Sequence, residues 1–212
     1  MVLTVIGLSI TFTSREEGIL TVYGAENLKF FTVDSNLLLG LAHLAALLLG
    51  VTGVLGKNGQ LRLWTERLLY VATAAVSLTL TVVVCFFAPS LGLGPLTQGA
   101  NLYFHLIEPV LAIVIFCVFH RGRHIPLWET AAAVAPSVIY GLYYTAVLLV
   151  RGVRFPDTDW YGFASGGPIG SLLTAAAVFL LTWLLALLLR LAAGGTRRRA
   201  AEPAGHDRAD YL

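Results

Sequence analysis

Four ionisable side chains, Asp34, His43, His105 and Glu108, stand inside or at the mouths of long apolar runs. Asp34 and His43 belong to a segment that begins "KFFTVDSNLLLG" (Lys29 to Gly40), together with Thr32, Ser35 and Asn36. The other two belong to "NLYFHLIEP" (Asn101 to Pro109), with Asn101 and Tyr103. Asn101, His105 and Glu108 are spaced i, i+4, i+7, one face of a helix, and Thr32, Asn36 and His43 share a similar face. A threonine hydroxyl becomes a nucleophile once a base takes its proton, and histidine has the pKa range for that task. Asp34 or Glu108 could orient the imidazole, as the acid does in a triad. Asn36, Asn101, Tyr103 and the free N–H groups of a helix start could hold an oxyanion. The same residues also have plainer uses. Asp34 and Ser35 could cap the helix that begins beside them, Asn36 could be an interhelical donor, and His43 could be structural. Asp34, His43, His105 and Glu108 are metal-ligand types, but no tight pair such as His-x3-His exists, so no metal is assigned.

The elements that position these residues are membrane helices. The chain has 212 residues, 57% hydrophobic and 12% charged, with mean hydropathy +0.79; soluble domains carry about 25% charged residues. Apolar runs near Phe31–Gly56, Trp64–Ala88, Leu102–Phe119, Pro126–Val150 and Pro168–Ala192 each approach the roughly 20 residues that cross a bilayer. None shows the period-2 alternation of an outer-membrane barrel. The expected class is all-α: a polytopic helix bundle over residues 1–193, with five clear transmembrane helices and a short N-terminal sixth at Met1–Thr13. That stretch lacks the positive n-region and cleavage site of a secretory signal. Residues 194–212 read as a disordered, basic and polar tail.

Positively charged loops mark the cytoplasmic side. With six spans, Lys57, Arg62, Arg67, Arg121, Arg123, Arg190, Arg197, Arg198, Arg199 and Arg208 fall together, and only Arg15, Lys29, Arg151 and Arg154 fall opposite, partly offset by Glu16, Glu17, Asp157 and Asp159. The C-terminus is therefore expected in the cytoplasm of a multi-pass cell-membrane protein. The polar faces then gather at the outer ends of three helices, including the end of the fifth at Tyr140, Tyr143 and Tyr144. His43 lies about 16 Å deeper than Thr32. Ionisable groups cost about 2.5–3.5 kcal/mol each at membrane depth, so they are expected to face one another in a pocket open to the outer leaflet. Pro109 should kink its helix, and the Gly/Pro-rich segment Ala88 to Gly99 could cover the pocket. Tyr140, Tyr144, Trp160 and Tyr161 suit either a binding wall or an interfacial belt. Cys85 and Cys117 sit in apolar runs as packing residues, not as a disulfide framework.

In order and spacing, "FFTVDSNLL", "NLYFHLIEP" and "PSVIYGLYY…YGF" resemble the androgen-induced gene 1 family of membrane proteins, most of all its bacterial Pr6Pr-type relatives. The similarity spans roughly Phe30 to Phe163. Animal members are intramembrane threonine hydrolases of lipid esters that use a Thr and a His. The resemblance puts these on Thr32 and His105, whereas Asp34, Glu108 and His43 have no matching family residue. It implies a lipid ester hydrolase or acyltransferase acting on membrane lipids; the sequence reveals no cofactor. From the residues alone, a transporter or channel using the intramembrane Asp, Glu and His remains open, as does a non-catalytic lipid-binding protein. No P-loop, dinucleotide fingerprint, HExxH or CxxC pair is present, and nothing points to nucleic acid. The oligomeric state is not legible.

Overall fold

The computed structural model describes residues 1–13, 22 and 24–194. Arg15, Glu16, Glu17 and the tail from residue 195, including Arg197, Arg198, Arg199 and Arg208, lie outside the described residues. Among the described residues all regular structure is helical, as expected from composition. Five helices among the described residues are long and apolar enough to cross a membrane. With the short α1 (Val2–Thr13) before them, they are α2 (Phe31–Val51), α3 (Gly59–Leu91), α4 (Ala100–Phe119), α5 (Leu127–Arg151) and α6 (Gly167–Ala192). In lipid the backbone must satisfy its own hydrogen bonds, which leaves helices as the solution for such runs. Large apolar side chains such as Val51, Leu149 and Val150 stand outward, about 80% exposed. That surface suits lipid and would be a liability in water. The chain is a multi-pass membrane protein.

α3 is the hub, packing on α2, α4 and α6. Its middle reads Ala72, Thr73, Ala74, Ala75, Val76, Ser77, all buried. Small residues let backbones approach closely where lipid offers no hydrophobic drive between helices. Tyr70 anchors the hub, its hydroxyl donating to the Ala186 carbonyl at 2.7 Å. α1, at about 18 Å, is shorter than a bilayer core, yet it is built into the bundle. A Cβ on its Gly7 would lie 2.4 Å from the Phe104 ring, and one on Gly40 of α2 would lie 2.7 Å from the Thr4 methyl. Two glycines thus set how closely α1 sits on α4 and α2.

Prolines shape three of the spans. α3 and α4 each contain a π-helical turn, at Val83–Phe87 and Tyr103–Ile107, closed by i→i−5 bonds from Ala88 to Val83 and from Glu108 to Tyr103. Pro89 and Pro109 lack the N–H that would bond the carbonyls of Cys85 and His105 four residues earlier, and their rings press on those carbonyls. Cys85 and His105 are the middle residues of the two wide turns. The bend expected at Pro109 is therefore a π bulge one turn upstream. In α5, Pro136 similarly follows a break at Ala133–Val134 between Leu127–Ala132 and Ala135–Arg151. Cys85 is exposed and Cys117 partly buried, and both are free thiols.

Candidate functional site: a tyrosine-lined cavity

The ends of α2, α3 and α5 that carry Phe31, Phe87 and Tyr144 meet the start of α6 and the loop 152–166. Between them lies a cavity of about 430 Å³, within the roughly 300–1,000 Å³ of small-molecule sites. Its wall is mostly apolar, with Val83, Phe87, Leu148, Phe163 and Phe179, and carries the hydroxyls of Thr32, Thr79, Ser137, Tyr140, Tyr144, Tyr161 and Ser171. α5 packs on α6 and also touches α2 and α3, and the cavity lies among these four helices.

Its polar wall is fixed by long-range bonds. The Phe31 N–H, free at the start of α2, donates to the Tyr161 hydroxyl at 3.0 Å. The residue before α2, Phe30, offers no side-chain cap. Tyr161, 130 residues away, takes the capping position that Asp34 or Ser35 could have filled. Burial pushes the Tyr161 phenol up to about 12, so it stays protonated. The Tyr140 hydroxyl donates to the Lys29 carbonyl at 2.6 Å and accepts from the Trp160 indole at 2.9 Å. The Tyr144 hydroxyl donates to the buried Asp159 carboxylate, which also accepts the Ala164 N–H at 3.1 Å. Tyr140, Tyr144 and Tyr161 are walls of the cavity, and Trp160 braces Tyr140 without lining it. Asp159 is the key residue that sequence reasoning passed over. Its signal was its place in "PDTDWYGF", beside the aromatics that needed an acceptor.

The residues singled out from sequence divide into two groups. Thr32, Tyr140 and Tyr144 line the cavity. Ser35 borders it, bonded to the Thr79 hydroxyl at 3.0 Å and to the Thr32 carbonyl at 3.1 Å. Asp34 is half-buried in the first turn of α2. Asn36, Asn101, His105 and Glu108 are buried on the other side of α2, toward α1 and α4, and do not line the cavity. Asn36 is an interhelical clip: its amide donates to the Thr32 carbonyl at 2.8 Å and the Phe104 carbonyl at 3.0 Å, which uses both N–H groups. Thr4 of α1 approaches the Glu108 carboxyl, although neither carboxyl oxygen makes a hydrogen bond of ordinary geometry among the described residues. Tyr103 is partly buried and packs beside Phe104 at the rim of the aromatic core. His43 folds back on its own helix, its Nδ1 2.9 Å from the Leu39 carbonyl.

His105 Nδ1 lies 2.7 Å from the Leu96 carbonyl. A carbonyl only accepts, so this bond assigns the proton to Nδ1 and leaves Nε2 as a buried lone pair. That is the tautomer of a general base. The segment 88–99, expected as a lid, is pinned over His105 through Leu96 and contributes no residue to the cavity wall. The Thr32 hydroxyl, unlike those of Thr65, Thr73 and Ser77, is not bonded back to its own helix. Thr32 thus meets the cavity, while the imidazole of His105 lies behind the Asn36 clip.

Compared with known proteins, the chain matches no family model, no curated protein and no solved structure.

Proposed function

We propose that this membrane protein takes an amphiphilic lipid-like molecule into the cavity between α2, α3, α5 and α6, acyl chain among the apolar walls and polar group against the hydroxyls. The observation that carries this reading is the cavity itself: about 430 Å³, apolar over most of its wall, at the end of a membrane bundle. Its hydroxyls offer hydrogen bonds without charge, which suits an ester, an alcohol or a fatty acid better than an ion. The test is native mass spectrometry of the protein extracted in mild detergent, comparing wild type with Ala175→Phe, which fills the cavity. A co-purifying lipid species lost in a folded variant supports the reading. Identical lipid adducts in both proteins would sink it.

Ester cleavage is a second, finer reading. It is favoured by the Thr32 hydroxyl on the cavity wall and by the general-base tautomer of His105. It also accords with the androgen-induced gene 1 resemblance, which enters here as a proposal. It requires the Asn36 clip to shift so that His105 Nε2 reaches the Thr32 hydroxyl. The hydroxyl would then attack the ester carbonyl, the proton passing through His105 to the leaving alcohol. A hydroxyl-directed phosphonate should then label Thr32, and neither Thr32→Ala nor His105→Ala should react. Orientation follows the charge bias, with the arginine-bearing helix ends and the C-terminus in the cytoplasm.

A further inference from the structure

At the opposite end of the bundle a second, open groove of about 680 Å³ lies between the start of α3 and the turn that follows α4. Arg62 and Glu66 of α3 face Phe119, His120, Arg121 and Arg123 across it. This turn is rigid. The Gly122 N–H donates to the Ala193 carbonyl at 2.8 Å, and the Arg190 side chain donates to the Ile125 carbonyl at 2.7 Å. Gly122 adopts φ +79°, a left-handed conformation that a side chain would oppose.

The charges in the groove are unequally engaged. Buried Glu129 accepts from Arg67 at 2.8 Å and from Arg123 at 2.9 Å, and Arg123 also donates to the Glu66 carbonyl at 2.9 Å. Arg62 meets Glu66 only at 3.7 Å and is exposed. Arg121, also exposed, takes part in none of the ion pairs among the described residues. Arg123 also lies 3.5 Å from the Glu66 carboxylate, so Arg62 and Arg121 are the lining guanidinium groups with donors left to offer. Planar guanidinium forks match phosphate oxygens.

What lies beside the groove says which phosphate. Phe119 at its edge is 78% exposed, and Ile115 and Leu111 continue the same face of α4 one and two turns away, also exposed. Arg67 is stacked between Trp64 and Trp128, 5.0 and 4.7 Å from their rings, and both indoles are exposed. Exposed tryptophans near the ends of membrane helices mark the membrane–water boundary. A phosphate seated among Arg62, Arg121 and Arg123 would have an apolar stripe running from it into the bilayer.

We propose that this groove is a binding site for the phosphate of an anionic phospholipid, whose acyl chains lie along the Phe119–Ile115–Leu111 face of α4. A site for free phosphate would need the arginines but not the stripe. The test uses the full chain, reconstituted in vesicles of equimolar phosphatidylglycerol and phosphatidylcholine, re-extracted gently and examined by native mass spectrometry. Wild type should retain phosphatidylglycerol preferentially. The exposed-residue variants Arg62→Gln and Arg121→Gln should each cut that preference roughly fivefold, about 1 kcal/mol per arginine at a membrane surface. Arg151→Gln with Arg154→Gln, at the other end, should leave it unchanged. Equal retention of the two lipids by wild type overturns the proposal, as does an unchanged preference in Arg62→Gln/Arg121→Gln. In a separate arm, inorganic phosphate is added to delipidated protein. Thermal stabilisation matching that given by phosphatidylglycerol would overturn the lipid assignment, and clearly weaker stabilisation would support it.

Discussion

The two ends of this bundle solve the same problem with different chemistry. At the end holding Phe31 and Tyr161, the helix starts and the connecting loop are joined by tyrosine hydroxyls bonded to backbone groups and to Asp159, with the Trp160 indole donating to the Tyr140 hydroxyl. At the other end, α3, α5 and the turn after α4 are joined by a carboxylate, Glu129, between two guanidinium groups. Tyrosine rings are bulky and stiff, and where three of them, Tyr140, Tyr144 and Tyr161, stand with their aromatic neighbours between the helix ends, they wall a cavity. The ion network is compact and leaves its groove outside, on the surface. The comparison teaches that neutral donors can surround an apolar guest, whereas fixed charges favour a charged one.

The largest effect should come from breaking the ionic end. Glu129→Gln leaves Arg67 and Arg123 without their buried counter-charge, and removing one partner of a buried ion pair costs about 3–5 kcal/mol. Chemical unfolding of the detergent-solubilised protein should show this loss, with the lipid content of the opposite cavity unchanged in the fraction that stays folded. A loss no greater than for Arg62→Gln would mean that the network carries little. At the tyrosine end, Asp159→Asn weakens charge-assisted bonds from Tyr144 and Ala164 and should cost about 2 kcal/mol. It should also lower lipid retention, because Tyr144 is part of the wall; unchanged retention would separate the wall from the site.

Next in size is a control belonging to neither end. Gly40→Ala places a methyl on Thr4 and should cost about 1–2 kcal/mol by overpacking. Thr4→Ala in the same chain should restore much of it, which a pair of melting curves would read. Tyr161→Phe removes the acceptor that caps α2, a loss of about 1 kcal/mol. Deeper labelling of the Phe31 amide in hydrogen exchange would locate it.

The smallest effect is one of pH, and His120 at the arginine end contributes to it. Burial, then the nearby Arg123, lowers the His120 pKa below its ordinary 6.5; Glu66 opposes this, and His43 adds slightly to it. Between the folded value and 6.5 the unfolded chain binds the extra proton. Stability should therefore decline as pH falls through 6.5 toward the folded value and be level above it. His120→Gln should lessen the decline. An undiminished slope in that variant would assign it elsewhere.

Much of this molecule was legible in its sequence, and the reason differs by element. The spans are encoded locally, since twenty apolar residues in lipid can only be helical. The runs beginning at Phe31 and ending at Phe119 and Ala192 match the helices at those ends. Pro109 announced a disturbed helix, though not that the disturbance would be a π turn centred on His105. The polar residues of α2 and α4 were expected to meet in one pocket. Helical spacing assigns residues to a face of their own helix but does not say which neighbour that face meets. Tertiary packing decided that. Thr32 faces α5 and α6, whereas His105 and Glu108 face α1, because Gly7 and Gly40 let α1 sit close against α4 and α2. The partners of Tyr161, Asp159 and Glu129 were equally beyond the sequence. Each bonds groups between 5 and 130 residues away, and only the folded backbone brings donor and acceptor within reach.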